Sequence, residues 1–321
     1  MSFINRTTLQ CLCFALLLII AGCDNPSKDT AWKSSGEVTL HEQAPPETTL
    51  TIGDIDPDTP INRIRKIRPL ADHLAKELGW DKTNVKIRIA RNIDELVTLL
   101  QKGEVDLFID SSYPSVLVSN ASGSDIFLES LVDGARTYQS VFISLASSNV
   151  RELEHLGGST IALQEEYSTS GHLLPSALLR KYGYKLEPVD NPQENLEVNT
   201  IGFMYSSDEE NTLSMLRKGT VLAGALSSQD YAQLPDQVMK EFVVLAESPA
   251  VPRKLASFRE GMDEAFCQRL IEILLAIDDT DRQKMTRNNG WNWEFARLDE
   301  QSHKGIESIR EMITQLKDTP R

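Results

Sequence analysis

Cysteine is scarce in this chain, with four among 321 residues. Cys11 and Cys13 fall inside an N-terminal apolar segment that reads as a processing signal, which leaves Cys23 and Cys267. A disulfide scaffold is thereby excluded even in an oxidising compartment. Cys267, on an amphipathic helical pattern, reads as a small buried hydrophobe. Cations are outnumbered, 33 Lys and Arg against 47 Asp and Glu, for a formal net charge of −14. Loss of Arg6 with the leader makes the mature chain more acidic still. That balance excludes nucleic acid as a partner and argues against broad adhesion to anionic lipid. A small anionic ligand stays compatible, because a buried site works through local dipoles. The chain also lacks a Gly-x-Ser-x-Gly elbow, a Gly-x-x-x-x-Gly-Lys loop and a dinucleotide fingerprint. Its five histidines, His41, His73, His155, His172 and His303, show no metal-ligand spacing. Neither an enzyme nor a metal- or cofactor-binding protein is expected.

A bilayer-spanning run is missing too. The apolar stretch from Cys11 to Gly22 is too short to cross a membrane and follows the positive Arg6, as in a secretory signal. It ends in Ile20-Ala21-Gly22-Cys23, which resembles a bacterial lipobox. The resemblance implies that residues 1–22 are removed and that Cys23 is lipidated. Asp24 resembles a signal for retention at the inner membrane. Residues 23–47 are polar, without periodicity, and read as a flexible tether for a body outside the cytoplasm.

The remaining chain alternates short apolar runs with helical periods, the pattern of an α/β fold with mainly parallel strands. Strands are expected over 49–53, 85–90 and 105–109. Ile64, Ile67, Leu70, Leu74 and Leu78 mark one face of a helix from Arg63 to Leu78, and a second helix spans Asn92 to Gln101. A second set of strands is expected at 140–145, 159–163, 201–205, 221–226 and 242–246, with helices in the tail. The sequence also echoes itself. A helix, a Lys-Gly pair, an apolar strand and a serine pair run from Gln101 to Ser112, and again from Arg217 to Ser228. Two similar lobes with polar residues at strand ends describe a protein with a ligand cleft. The expected boundaries are 48–136 with 247–321 for one lobe, including the C-terminal helices, and 137–246 for the other.

The stretch Tyr167-Ser168-Thr169-Ser170-Gly171-His172 follows a strand and precedes a helix. The first backbone N–H groups of a helix have no partner within it, and the dipole there favours negative charge. Ser168, Thr169, Ser170 and Gly171 therefore suit an oxyanion, although a plain helix cap needs no ligand. Glu165 and Glu166 read as solvated flank. His172, so close to Ser170, suits capping or exposure better than a Ser–His pair. Ser112 and Tyr113 follow the strand at 105–109, where ligands gather in open sheets. Trp291-Asn292-Trp293-Glu294-Phe295 reads as packing for the C-terminal helices.

Several segments together resemble the phosphate/phosphite/phosphonate-type periplasmic solute-binding lipoproteins of ABC transporters. They are Arg68-Pro69-Leu70-Ala71-Asp72-His73-Leu74, the run from Leu96 to Asp106, Tyr167 to Pro175, and Glu247-Ser248-Pro249-Ala250-Val251-Pro252. The resemblance implies a type II binding-protein fold, with two α/β lobes joined by crossover strands around one ligand. It implies that Ser168, Thr169 and Ser170 with adjacent N–H groups hold the oxyanion, and that Tyr113 is a cleft aromatic. It implies delivery to an ABC permease, a membrane sensor being the alternative, by a monomer held to the membrane through lipid alone. The family's Gly-Ser-His-Asp reads Tyr205-Ser206-Ser207-Asp208 here. Ser207 removes a cation, which points to a ligand less charged, or differently shaped, than a phosphonate. Asp208 either accepts a hydrogen bond from the ligand or caps the following helix.

Overall fold

The computed structural model describes residues 48–56, 59–288 and 290–317. The signal segment, Cys23 and the tether lie outside these. The chain opens with β1 (Leu50–Ile55), α1 (Pro60–Leu78), β2 (Val85–Ala90), α2 (Ile93–Gln101), β3 (Leu107–Ser111), α3 (Ser112–Ser122) and β4 (Asp125–Leu131). The short β5 (Thr137–Tyr138) leads to β6 (Ser140–Leu145), β7 (Thr160–Leu163), α4 (Leu174–Lys181), β8 (Lys185–Pro188) and β9 (Thr200–Tyr205). Next come α5 (Glu209–Arg217), β10 (Ala223–Ser227), α6 (Ser228–Gln233), α7 (Asp236–Met239) and β11 (Phe242–Glu247). The chain returns through β12 (Val251–Pro252) to β13 (Lys254–Phe258), α8 (Glu264–Leu275), α9 (Asp279–Arg287), β14 (Glu294–Arg297) and α10 (Glu300–Lys317).

Several elements begin away from their sequence-predicted starts, and two of the shifts have a clear cause. The first helix starts at Pro60, not Arg63, since proline in the first turn presets φ and has no N–H to leave unpaired. It ends where Gly79, at φ 72°, donates to Ala75 and Lys76 carbonyls. β3 runs from Leu107 to Ser111 because Asp106 is otherwise engaged. Its carboxylate accepts from the Thr51 N–H at 2.8 Å and from Arg259 Nε at 2.7 Å, clipping β1 to the return of the chain.

Two six-stranded sheets result. The first has the order β2-β1-β3-β13-β4-β14, parallel across β2, β1 and β3 and antiparallel beyond. The second has the order β8-β9-β7-β10-β6-β11, parallel as far as β10 and antiparallel beyond. Three parallel strands in the first sheet, and four in the second, meet one antiparallel strand, β13 or β6, that follows a crossing between sheets. The internal echo has a structural basis: β3 and β10 occupy equivalent places, each ends at a serine pair, and in each the second serine begins a helix. β5 and β12 pair as a separate two-stranded ribbon, so both crossings between sheets run side by side.

Each sheet buries its own core. Leu50, Ile52, Leu70, Leu74, Leu107 and Trp293 belong to the first, and Phe142, Leu156, Ile161, Leu179 and Ile201 to the second. Burial of apolar surface at about 25 cal/mol per Å² is the main stabilising contribution here. A third cluster spans both sheets. Leu173 and Leu174 pack with Val116, Tyr138, Leu255, Ile306 and Ile309, so α10 reaches across to hold the start of α4. Trp293 stacks on Phe295 in the first core, as the aromatic run suggested, whereas Trp291 is half-buried and has Arg63 and Lys254 over its ring.

Candidate ligand site

β7 ends at Leu163, and the chain turns through Gln164–Ser168 into one π-helical turn, Thr169–Leu173, that runs on into α4. The sequence placed an ordinary helix start here. The wider turn brings Ser168 back as a cap: its hydroxyl accepts from the Gly171 N–H at 3.0 Å. The capping role considered for this serine is therefore real. Thr169 and Ser170 behave differently. Both side chains are buried, at 1 % and 6 % exposure. Among the described residues, their backbone N–H groups meet no protein acceptor. A buried N–H without a partner costs about 1–3 kcal/mol, so these two donors are primed for an acceptor from outside the chain.

The hydroxyls are aimed by their neighbours. Thr169 Oγ1 accepts from the Tyr113 N–H at 2.9 Å, which reaches over from the first turn of α3. An accepting hydroxyl keeps its own proton to donate elsewhere. Beneath both lies Tyr138, 3 % exposed, on the connecting ribbon. Burial pushes its phenol up, against the pull of Arg253 and of hydrogen bonding with Thr169 and Ser170. Arg253 stacks on the Tyr138 ring, 4.3 Å from its centroid, and Arg253 Nε donates to Gln229 Oε1 at 2.6 Å. A cation held between the ribbon and α6 thus underlies the corner. Sequence reasoning missed both Tyr138 and Arg253. They follow no motif, and only the pairing of β5 with β12 brings them together; the run from Glu247 to Pro252 stopped one residue short.

Gly171 is fixed by crowding, not by backbone angle. A Cβ there would lie 2.4 Å from Gln164 Oε1 and 2.6 Å from Gln164 Cβ. Gly171→Ala is expected to destabilise the fold by about 1–3 kcal/mol, as overpacked sites do, and to lower Tm measurably in calorimetry. An unchanged Tm would show that the turn has room to spare.

The other expected residues are distributed around this corner. Tyr113 is half-buried, with its ring centroid 6.4 Å from that of Tyr167. Burial pushes its phenol up to about 12, with the charge of Glu166 adding to the effect. Ser112 is fully buried and its hydroxyl donates to the Pro252 carbonyl, so it ties α3 to the ribbon. Ser207 is exposed with φ 72°, and its N–H donates to the Gln164 carbonyl at 3.1 Å. Asp208 caps α5, accepting from the Asn211 N–H at 2.7 Å and Asn211 Nδ2 at 3.1 Å. Of its two expected roles, capping occupies the carboxylate. Glu165 and Glu166 are exposed, as expected for flank. His172, expected to cap or to lie exposed, is half-buried: its ring stacks 5.7 Å from Tyr205, and Nδ1 shares a 3.0 Å hydrogen bond with the Tyr205 hydroxyl. Burial, aided by Arg180, pushes its pKa down to about 4, so it is neutral and brings no cation to the site.

A second polar cluster lies at the carboxyl ends of β1 and β3. Asp54 is 3 % exposed; Oδ1 accepts from the Ile55 N–H at 2.7 Å, and Arg63 Nε stands 3.7 Å from Oδ2. Burial pushes this carboxyl up to about 7 despite Arg63, and the charge of Asp110 pushes the same way. Lys254 Nζ sits 4.6 Å over Trp291, and burial pushes its pKa down.

A family model described as "ABC transporter, phosphonate, periplasmic substrate-binding protein" matches residues 57–302. The chain belongs to this family of periplasmic substrate-binding proteins, and the two sheets with their connecting ribbon are its type II fold. It is similar to XAC2383 from Xanthomonas citri. A structure of that protein bound to chloride ion is 25 % identical, covers 84 % of this chain and 99 % of that one, and gives a TM-score of 0.76. A structure of the same protein bound to ATP is 23 % identical, with 85 % and 100 % covered and a TM-score of 0.76. PhnD1 from Prochlorococcus marinus in complex with methylphosphonate is 17 % identical, with 85 % and 100 % covered and a TM-score of 0.62, a likeness of fold. The family is one of transport proteins, not of enzymes. Among the described residues, no helix is long and apolar enough to cross a membrane, and no cluster of His, Cys, Asp or Glu could hold a metal ion.

Proposed function

We propose that this protein is a lipid-anchored receptor for a small phosphonate-like oxyanion, held at Thr169 and Ser170 and delivered to an ABC importer. Its lobes would be 48–136 with 247–321, and 137–246. The observation that carries the reading is the pair of buried N–H groups at Thr169 and Ser170 without a protein acceptor, flanked by their own hydroxyls. Tyr113 would wall the site, and Ser207 would stand at its rim. Absence of the family histidine at Ser207 does not leave the site without positive charge, since Arg253 stands beneath Tyr138. That favours a fully charged oxyanion over the less charged ligand that Ser207 alone suggests.

A thermal-shift screen against methylphosphonate, phosphite, phosphate and short alkanesulfonates tests the reading. A true ligand raises Tm with concentration, by mass action on the folded state. No shift with any of them would sink it. Arg253→Gln removes the charge and keeps a polar side chain. We expect its affinity for the best ligand to fall roughly tenfold, about 1.4 kcal/mol, with most of that loss restored by Arg253→Lys. Unaltered affinity in Arg253→Gln would remove the arginine from the site.

A further inference from the structure

The flank of the first lobe carries a cavity of about 840 Å³ between α1, the turn at 82–84 and α9. It shares no residue with the corner at Thr169. Arg65, Arg68, Lys76, Lys82 and Lys284 line it, against only two carboxylates, Asp72 and Asp281. In a chain of net charge −14 this is a local reversal of sign. The cations are loosely held. Lys82 pairs with Asp72 at 2.7 Å, Lys284 with Asp281 at 3.2 Å and Lys76 with Glu77, all through largely exposed ammonium groups. Arg68 donates to the Val85 carbonyl at 3.2 Å, and the exposed Arg65 makes no ion pair among the described residues. Exposed pairs of this kind contribute about 0–1 kcal/mol, so an arriving anion can displace them. Trp80 also lines the cavity, one face stacked 5.5 Å from Phe266. An aromatic with one apolar side and one wet edge is the side chain enriched at membrane–water interfaces.

The course of the chain selects the occupant. Asn84, two residues after Lys82, donates its Nδ2 to the Thr48 carbonyl at 2.8 Å. Residue 48 therefore joins the body at the edge of the basic cavity, and the tether expected before it, residues 23–47, begins at the expected acyl attachment, Cys23. The point at which the described chain begins and the reversed charge share one edge. We propose that this cavity seats the phosphate headgroups of anionic phospholipid and so lays the first lobe's flank on the membrane. The orientation rests on the anchoring reading; the headgroup site does not. Charges elsewhere on the acidic surface are screened beyond about 8 Å at physiological salt, so the local patch governs contact.

The test uses the mature chain with Cys23→Ser, which cannot be acylated. It is floated with vesicles of phosphatidylcholine, with and without phosphatidylglycerol. We expect it to float only with the phosphatidylglycerol vesicles and to be released by salt. Near an anionic surface each cation contributes about 1 kcal/mol, roughly fivefold in partition. Arg65→Ala with Lys284→Ala should then lower partition about 25-fold while leaving Tm and cleft affinity unchanged. No flotation, or undiminished flotation of the double variant, would overturn the proposal. So would binding of free pyrophosphate that needs Arg65 and Lys284 without any affinity for vesicles, which would mark a soluble-ligand site instead. The mass of the N-terminal peptide from the native protein reads acylation at Cys23 separately, so failure of the anchor and failure of the cavity are distinguishable.

Discussion

Thr169→Val combined with Ser170→Ala is expected to weaken binding of the best phosphonate by at least about 100-fold in titration calorimetry. Two hydroxyl donors to a charged oxyanion are lost, and hydrogen bonds to charged groups contribute about 1.5–3 kcal/mol each. The backbone N–H groups remain, so binding should weaken without vanishing. Stability will also fall. Valine keeps the shape of Thr169 but leaves the Tyr113 N–H without its acceptor, at a cost of about 1–3 kcal/mol for a buried donor. Melting should stay cooperative, because Leu173 and Leu174 still pin the turn against α10. Affinity within twofold of the parent protein would refute the assignment of the oxyanion to this corner.

The second large effect is on pH. The Asp54 carboxyl sits at about 7 in the folded protein against 3.8 for an unperturbed aspartate. Between those values the folded state holds a proton that the unfolded state has released. Stability due to this group is thus highest below about pH 4 and declines as pH rises toward 7. From pH 5 to pH 8 the loss amounts to about 2–3 kcal/mol. Urea denaturation at the two pH values should show it, and Asp54→Asn, neutral throughout, should remove most of the difference. The same slope in Asp54→Asn would mean that other groups carry it. The neighbours that face Asp54 are Arg63, Asp110 and Lys254, so the variant also tests whether Arg63 stays in place with Asp56 alone, 3.1 Å away.

The elements that were legible in the sequence are those with a clean period and a marked end. β2 lies over Val85–Ala90 as read, and α2 begins after Asn92, whose side chain caps it by accepting from Glu95 N–H. α3 and β4 escaped. α3 buries serines where periodicity looks for apolar residues: Ser112, Ser115 and Ser122 are inside. They are tolerated because Ser115 Oγ donates to the Asp110 carbonyl and Ser122 Oγ to the Val118 carbonyl. A hydroxyl satisfied by its own backbone is invisible to a hydrophobic pattern. The corner was legible as a candidate because its donors are local, set by a strand end and the first turn of a helix. Tyr138, Arg253 and the Asp54 cluster depend on contacts between distant segments, which no spacing along the chain records. Ser207 and Asp208 were singled out by the resemblance, yet a carboxylate already engaged in capping has little to offer a ligand.

The hydrogen bond from Tyr113 to Thr169 joins the first turn after β3 of one sheet to the turn after β7 of the other. One such bond is worth about 0.5–1.5 kcal/mol net, enough to multiply the shut population roughly two- to tenfold. In the receptor proposed above, this contact would supply part of the closing free energy from the chain itself, leaving the bound oxyanion to supply the remainder.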